Sequence, residues 1–477
     1  MIVRAGSEDG RQGREIRHPL DRLLSPLSPV RLSEEDPRMP RQSVPTIYSR
    51  SGFGSRTWLA NGSWRLFVRH CQIPWRGEEI LGFSTANGGR ISARFEPNEQ
   101  AVFVPFDLGE AFTNYVSEAW RTGSEQRQLS TRQLDLFYRL KRSVPRRWQL
   151  AARRLLISKW QGVPKFPAWP FDDSVVTLLR FYARCQLLAS GRTEASFRWF
   201  WPDGYHAALI LTHDVESREG LRLAIELADL EEARGFRSSF NIVAAWYEID
   251  RGILKELRQR GFEVGVHGVY HDRSMFASRE SFDSQSTELR QAVADLGAKG
   301  FRSPATHRVF EWLADLPVSY DCSIPHSDPF EPQPGGCCTI WPFFIGNVVE
   351  LPYTMPQDHT LLTLLRHRSP ELWLRQVARI EADNGLVQSV THPDPGYLGD
   401  LRKRRTYSEF LDAVAGHDHL WKALPREVAA WWRARDAGAT LDRRIKLGVM
   451  RADETSGEVT FEPSSTVKSM SENFAAG

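Results

Sequence analysis

HAALILTHDVESREGLRLAIELADLEEARGFRSSFNIVAA, residues 206–245, is the stretch whose pattern decides the fold. It opens on a nearly continuous apolar run, as a strand buried on both faces requires. GLRLAIELADLEEAR then carries apolar residues at helical spacing and stops at Gly235. RSSFNIVAA reads as a strand again. The same alternation continues outward. RGILKELRQR is a predicted helix stopped by Gly261, FEVGVH a strand, and SFDSQSTELRQAVADL a helix stopped by Gly297. KGFRSP, SYDCSI and VVELP read as short strands, PELWLRQVARIEADNG as a helix and LVQSVTHP as the last strand. Strands alternating with helices imply parallel pairing through helical crossovers, in a barrel or an open sheet. Thr212-His213-Asp214, His267, Arg302, Asp321 and His392 fall at the carboxyl ends of these strands. That edge is where α/β barrels and sheets place their chemistry.

The whole chain has 477 residues, enough for two or three domains. Hydrophobic residues make up 41% and charged residues 25%, which excludes global disorder and a fibrous repeat. The mean hydropathy is -0.42, and no stretch approaches the roughly 18 uninterrupted apolar residues of a membrane span. A formal charge of +3 does not argue for nucleic acid. The N-terminus has no apolar signal core, and the five cysteines are sparsely spaced, so a cytoplasmic protein without disulfides is expected.

Residues 1–45 are rich in Arg, Pro and Ser and are expected to be a disordered leader. Residues 46–135 read as an accessory α/β or β-rich domain, and 136–204 as a basic helical segment and linker. Within it, 139–165 holds nine basic residues and no acidic one, with Trp148, Ala152, Leu156 and Trp160 on one helical face. A packed helix with a solvated basic face is the plainer reading. The sharper one is peripheral contact with an anionic carrier or membrane surface. Residues 205–434 are expected to hold the alternating strands and helices and two C-terminal helices, and 435–477 a polar tail with one short hairpin.

LTHDVE places Asp214 and Glu216 two apart just past an apolar strand, so both carboxylates face one cavity. HGVYHD supplies His267 and His271, four apart, at a separation that lets two imidazoles converge on one ion. Two His and one carboxylate make a hydrolytic metal site with an open position for water. The second carboxylate is then a candidate general base and His392 a candidate general acid. The long loop HSDPFEPQPGGCCTIWPFFIGNVVELPYTMPQD lies over the rim. Its Trp341, Phe343 and Phe344 either stack on a sugar or anchor the loop, and Asp358 and His359 reach toward the site.

In this order the motifs resemble the polysaccharide deacetylases, carbohydrate esterase family 4, over residues 205–400. The first motif is closest to the THDVD type. The resemblance implies a distorted (β/α)7 barrel and a divalent metal, commonly zinc, held by Glu216, His267 and His271. It implies Asp214 as base, oriented by Arg302 of Phe301-Arg302-Ser303-Pro304. It also implies His392 of Thr391-His392-Pro393-Asp394 as the acid that protonates the leaving amine, tuned by Asp321. Glu216 stands where the family has Asp, and Ala305, whose N–H would serve an oxyanion, stands where many members have an aromatic residue. The implied activity is hydrolysis of an N-acetyl or O-acetyl group on a carbohydrate, a cytoplasmic glycan or glycolipid precursor. The alternatives are a non-catalytic glycan-binding protein on the same barrel, and a hydrolase of a small non-peptide amide.

Overall fold

The computed structural model describes residues 18–27, 31–33, 45–50, 52, 55–72, 75–123, 154, 166–438 and 444–464. The basic segment 139–165 lies outside these, apart from Arg154, whose guanidinium donates to the Thr363 carbonyl at 2.7 Å.

A nine-stranded sheet positions the site. Its order runs Phe343–Ile345, Val348–Glu350, Tyr320–Asp321, Gly300–Phe301, Glu263–Val266, Ser239–Ile242, Ala207–Val215 and Leu386–Thr391. Leu420–Lys422 pairs with the start of Ala207–Val215. All these pairings are parallel except Phe343–Ile345 with Val348–Glu350. All nine residues of Ala207–Val215 are buried, which is why the strand opens on the apolar run AALIL before Thr212, His213 and Asp214. The sheet curls. Beyond Val348–Glu350, the N–H groups of Thr354 and Met355 reach the Gln388 carbonyl, on the strand at the opposite edge, at 3.3 and 3.1 Å.

Helices Arg218–Glu232, Arg251–Gln259 and Arg279–Asp295 connect successive strands. Ser217, Asp250 and Ser278 cap their N-termini by accepting backbone N–H groups. Gly235, Gly261 and Gly297 follow their C-termini at positive φ, the left-handed turn that ends a helix cheaply only at glycine.

A seven-stranded sheet built from Arg31–Ser33, Thr46–Ser49, Thr57–Asn61, Trp64–Val68, Glu78–Thr85, Arg90–Glu96 and Ala101–Val104 forms the N-terminal unit. Helices Leu108–Val116 and Ser174–Ser190 pack on it. A third sheet joins Glu194–Arg198 to the hairpin Leu447–Ala452 and Val459–Pro463. One continuous apolar core runs through all three sheets.

Two segments differ from expectation. Residues 19–24, inside the stretch expected to be disordered, form a helix whose Leu20, Leu23 and Leu24 are buried. The segment expected to be a polar tail from 435 supplies Arg435, which ends up fully buried. Its guanidinium donates to the carbonyls of Arg22, Leu23 and Leu24, the open end of that helix, and to those of Trp199 and Arg198. Carbonyls at a helix C-terminus lack intrahelical partners, so a buried end needs such a donor. Replacing Arg435 by Met strands these acceptors and should cost about 3 kcal/mol. Urea denaturation checks this, and a variant as stable as the parent would show that helix Pro19–Leu24 does not depend on the contact.

Candidate active site

Sheet register brings the polar residues together. Asn241 is the ladder partner of Asp214, and Thr391 that of His213. Phe301 pairs with Val266, so Arg302 and His267 leave their strands side by side. Successive strand residues face opposite sides. His213 therefore points away from Asp214, into a buried network of its own with Thr391 Oγ1 and Glu231 Oε1, each at 2.7 Å.

Glu216, His267 and His271 each offer a ligand atom, all within 4.8 Å of one another. His271 Nε2 lies 3.0 Å from Glu216 Oε1 without hydrogen-bond alignment, a buried nitrogen left for a different partner. His267 Nδ1 faces the Arg302 carbonyl at 3.1 Å. A carbonyl only accepts, so Nδ1 carries the proton and Nε2 is left as the ligand atom, the usual arrangement of a metal-bound imidazole. Two imidazoles and one carboxylate, clustered with His267 buried and Glu216 and His271 half-buried, fit a divalent cation. Burial pushes the Glu216 carboxyl up, but His271, His392 and His267 outweigh it and hold it well below the carboxylate range. Burial takes His267 down to about 4 against the pull of Asp214, which keeps it neutral, the ligand form.

Glu216 is placed by a residue that sequence reasoning quoted without assigning a role. Asp394 accepts from the Glu216 N–H at 3.0 Å and from the Ser217 hydroxyl. Gly220 packs against the same carboxylate, and a Cβ there would lie 2.4 Å from it.

Asp214 is buried beside this cluster. Its Oδ1 accepts from Asn241 Nδ2 at 2.9 Å and lies 3.3 Å from Arg302 Nε, while Oδ2 is 3.9 Å from His267. Burial favours the neutral acid, but His267, Arg302, His392 and Asn241 together hold the carboxyl below its ordinary range. Arg302 is fully buried and also donates to Thr212 Oγ1 at 2.8 Å. Asn241 was missed because one polar residue in SSFNIV marks nothing until its register opposite Asp214 is known.

His392 faces Glu216, with Nε2 at 3.5 Å from Oε1. Its Nδ1 meets Asp358 Oδ1 at 2.7 Å, and the other oxygen of Asp358 accepts the His392 N–H at 3.0 Å. Burial would lower the imidazole, but the Asp358 contact carries it up to about 10. This corrects two expectations. Asp358 orients His392 rather than reaching for substrate. Asp321 does not tune His392, because its carboxylate folds back onto its own turn, accepting from Cys322 N at 2.8 Å and Ser323 Oγ at 2.6 Å. Burial pushes Asp321 upward, and Glu350 is its ladder partner.

Of the remaining candidates, Ala305 sits in a turn beyond Arg302, with Ala305 and Thr306 at φ +48° and +53°. His359 is separated from His392 by Tyr397, whose ring stacks on His392 at 4.5 Å. Trp341 is fully buried, donates to the Asn384 carbonyl at 2.9 Å and stacks on Phe200, so it anchors the loop from inside. Phe343 packs on Phe112, and Phe344 under Arg22. Exposed aromatics beside the site include Trp246, whose ring lies 6.3 Å from that of His271, and Tyr270, which precedes it.

No family model matches the chain, and no curated protein does. Among solved structures it is similar to a putative polysaccharide deacetylase from Mycobacterium smegmatis, at 18% identity and a TM-score of 0.40, over 49% of this chain and 93% of that one. It is similar to Puue allantoinase at 13% identity and a TM-score of 0.38, over 49% and 92%. A family 4 carbohydrate esterase from Streptomyces lividans gives 16% identity and a TM-score of 0.30, over 47% and 93%. What the site can do follows from its side-chain geometry and not from these likenesses.

A protonated His392 is available as an acid until pH rises through its pKa. Removing the Asp358 carboxylate leaves burial opposed by Glu216 and Asp214 alone, so Asp358→Asn should move the basic limb of the pH–rate profile down by about one unit or more. Asp321→Asn should leave the limb in place. A cation at Glu216 acts on parent and variant alike, so the difference between their profiles is the measurement.

Proposed function

We propose that the chain is a metal-dependent hydrolase that removes an acetyl group from a carbohydrate, on a distorted (β/α)7 barrel. The observation that carries this reading is the clustering of Glu216, His267 and His271 between an ionised Asp214 and an acid His392 at one end of a parallel sheet. The carbohydrate substrate rests on the resemblance of THDVE, HGVYH, FRSP and THPD to the deacetylase motifs.

Glu216, His267 and His271 would hold the cation. Polarisation of the acyl group and acidification of the attacking water are what a bound divalent ion, zinc by its donor set, supplies there. Asp214 accepts the water proton at a carboxylate oxygen, and Arg302 and Asn241 keep it ionised and aimed. The N–H of Ala305 donates to the acyl oxygen as charge develops on it. His392 then delivers the proton on Nε2 to the leaving nitrogen or oxygen, while Asp358 stabilises the imidazolium. An ordered base, an acid with its orienting carboxylate and a three-residue ligand set together favour a working enzyme over a pure binder.

The purified chain should hold about one divalent ion, and a chelator should abolish acetate release from N-acetylated chitooligosaccharides or O-acetylated xylan. Asp214→Asn should lower turnover by about 10²–10⁴-fold and keep the metal, whereas His271→Ala should lose both. Normal turnover in Asp214→Asn would refute the assigned base. Release from ureides but not from acetylated sugars would move the assignment to small amides.

A further inference from the structure

The turn that carries Ala305 is held from outside the barrel. Two consecutive residues without glycine's freedom, Ala305 and Thr306, take left-handed φ. Such a conformation persists only where its surroundings over-determine it. Within the turn itself, Thr306 N bonds to the Ser303 carbonyl at 3.0 Å and His307 N to that of Pro304 at 3.2 Å. The barrel holds its start, where the Ser323 hydroxyl accepts the Ser303 N–H at 2.8 Å, and Arg308 holds its far end, with Nη1 donating to the Thr306 carbonyl at 2.8 Å.

Arg308 is 4% exposed, and its fork closes on a carboxylate from the N-terminal unit. Nε donates to Glu118 Oε2 at 2.8 Å and Nη2 to Oε1 at 2.7 Å, while Gly336 N donates to the same Oε1 at 2.6 Å. Glu118 lies just beyond helix Leu108–Val116 and is 7% exposed. A Cβ on Gly335 would sit 2.0 Å from Oε1, so a glycine there admits the carboxylate. Gln333 brackets the Arg308 backbone, accepting its N–H at 3.0 Å and donating to its carbonyl at 2.9 Å. On the other side the turn adjoins the candidate ligands, since a Cβ on Gly268 would meet Pro304 at 2.7 Å.

We propose that the N-terminal sheet unit is a working part of the active site, because Glu118 and Arg308 form a buried clamp that fixes the Ala305–Thr306 turn and so the N–H offered to the acyl oxygen. Both are positioning residues, and their catalytic relevance rests on the deacylase reading above. A bidentate Arg–carboxylate pair fixes direction as well as distance. Misplacing a reacting geometry by about 1 Å costs about 10²-fold in rate.

The test uses the full chain, with three variants. Glu118→Gln keeps the shape and removes the charge. Arg308→Lys keeps the charge and removes the fork. Glu118→Leu with Arg308→Met removes both charges, so that neither is left buried alone. Glu118→Gln and the double variant should lower kcat about tenfold to 10²-fold, with KM within about twofold and metal content unchanged. Arg308→Lys should fall between them and the parent. Amide hydrogen exchange should accelerate at residues 303–307 and not at the strand Ala207–Val215. Folded variants with parental kcat, or with unchanged exchange at 303–307, would overturn the clamp. So would failure of the double variant to fold, which would make the pair structural. If the parent releases no acetate, the functional reading fails separately, and the exchange measurement still decides whether the clamp holds the turn.

Discussion

Arg302 is a cation with no exposed surface, and the site is arranged around its compensation. Removing a guanidinium from water is costly unless a charge and hydrogen bonds replace the solvent. Asp214 supplies the charge at 3.3 Å and Thr212 an acceptor at 2.8 Å. With its amide oriented to satisfy both ends, Gln388 accepts from Nη2 at 2.9 Å and donates to the Leu351 carbonyl. Arg302 thereby joins His267 in holding Asp214 ionised against its burial. The same residue acts through its backbone as well. Its carbonyl accepts a hydrogen bond from His267 Nδ1 and leaves the other nitrogen for a ligand role. One position thus links the state of the base to the tautomer of a metal ligand.

The register of one strand separates two networks. Asp214 and Thr212 face Arg302, while His213 faces outward to Glu231, which also accepts from Tyr407 and Ser238. A one-residue slip would exchange the two faces and bury His213 against Arg302, like charge against like if protonated. Because Ala207–Val215 is buried on both faces, the apolar run AALIL alone does not distinguish one register from the next, and the partners of Thr212, His213 and Asp214 do.

The parts legible in the sequence are those encoded within one motif. Strand–helix alternation, the glycine stops and the pairs Asp214/Glu216 and His267/His271 depend on spacing along the chain, and the folded chain brings the latter four together. The illegible parts are contacts between distant segments. Asp358 and Asp321 both precede the last strand, and nothing local shows which one meets His392. Trp341 reads equally well as a stacking platform or an anchor until Asn384 is known to sit over its N–H. LDRLL is too short to mark a helix inside an Arg- and Pro-rich leader, and its cap, Arg435, arrives from more than 400 residues away.

Glu216 depends on its backbone for its aim. A carboxylate on a longer side chain is poorly aimed unless its backbone is fixed, because each added rotor costs order. Here the backbone is fixed at two points, by Asp394 on the Glu216 N–H and on the Ser217 hydroxyl. Ser217 also caps helix Arg218–Glu232, so that helix and the carboxylate share one anchor. Asp394 fits only because Gly220 has no side chain. From that fixed origin Oε1 lies 3.0 Å from His271 and 3.5 Å from His392, between a candidate ligand and the candidate acid. Its charge therefore acts on both. It helps keep the imidazolium on one side and would help hold a cation on the other, so Asp394 positions the carboxylate that the two halves of the site share.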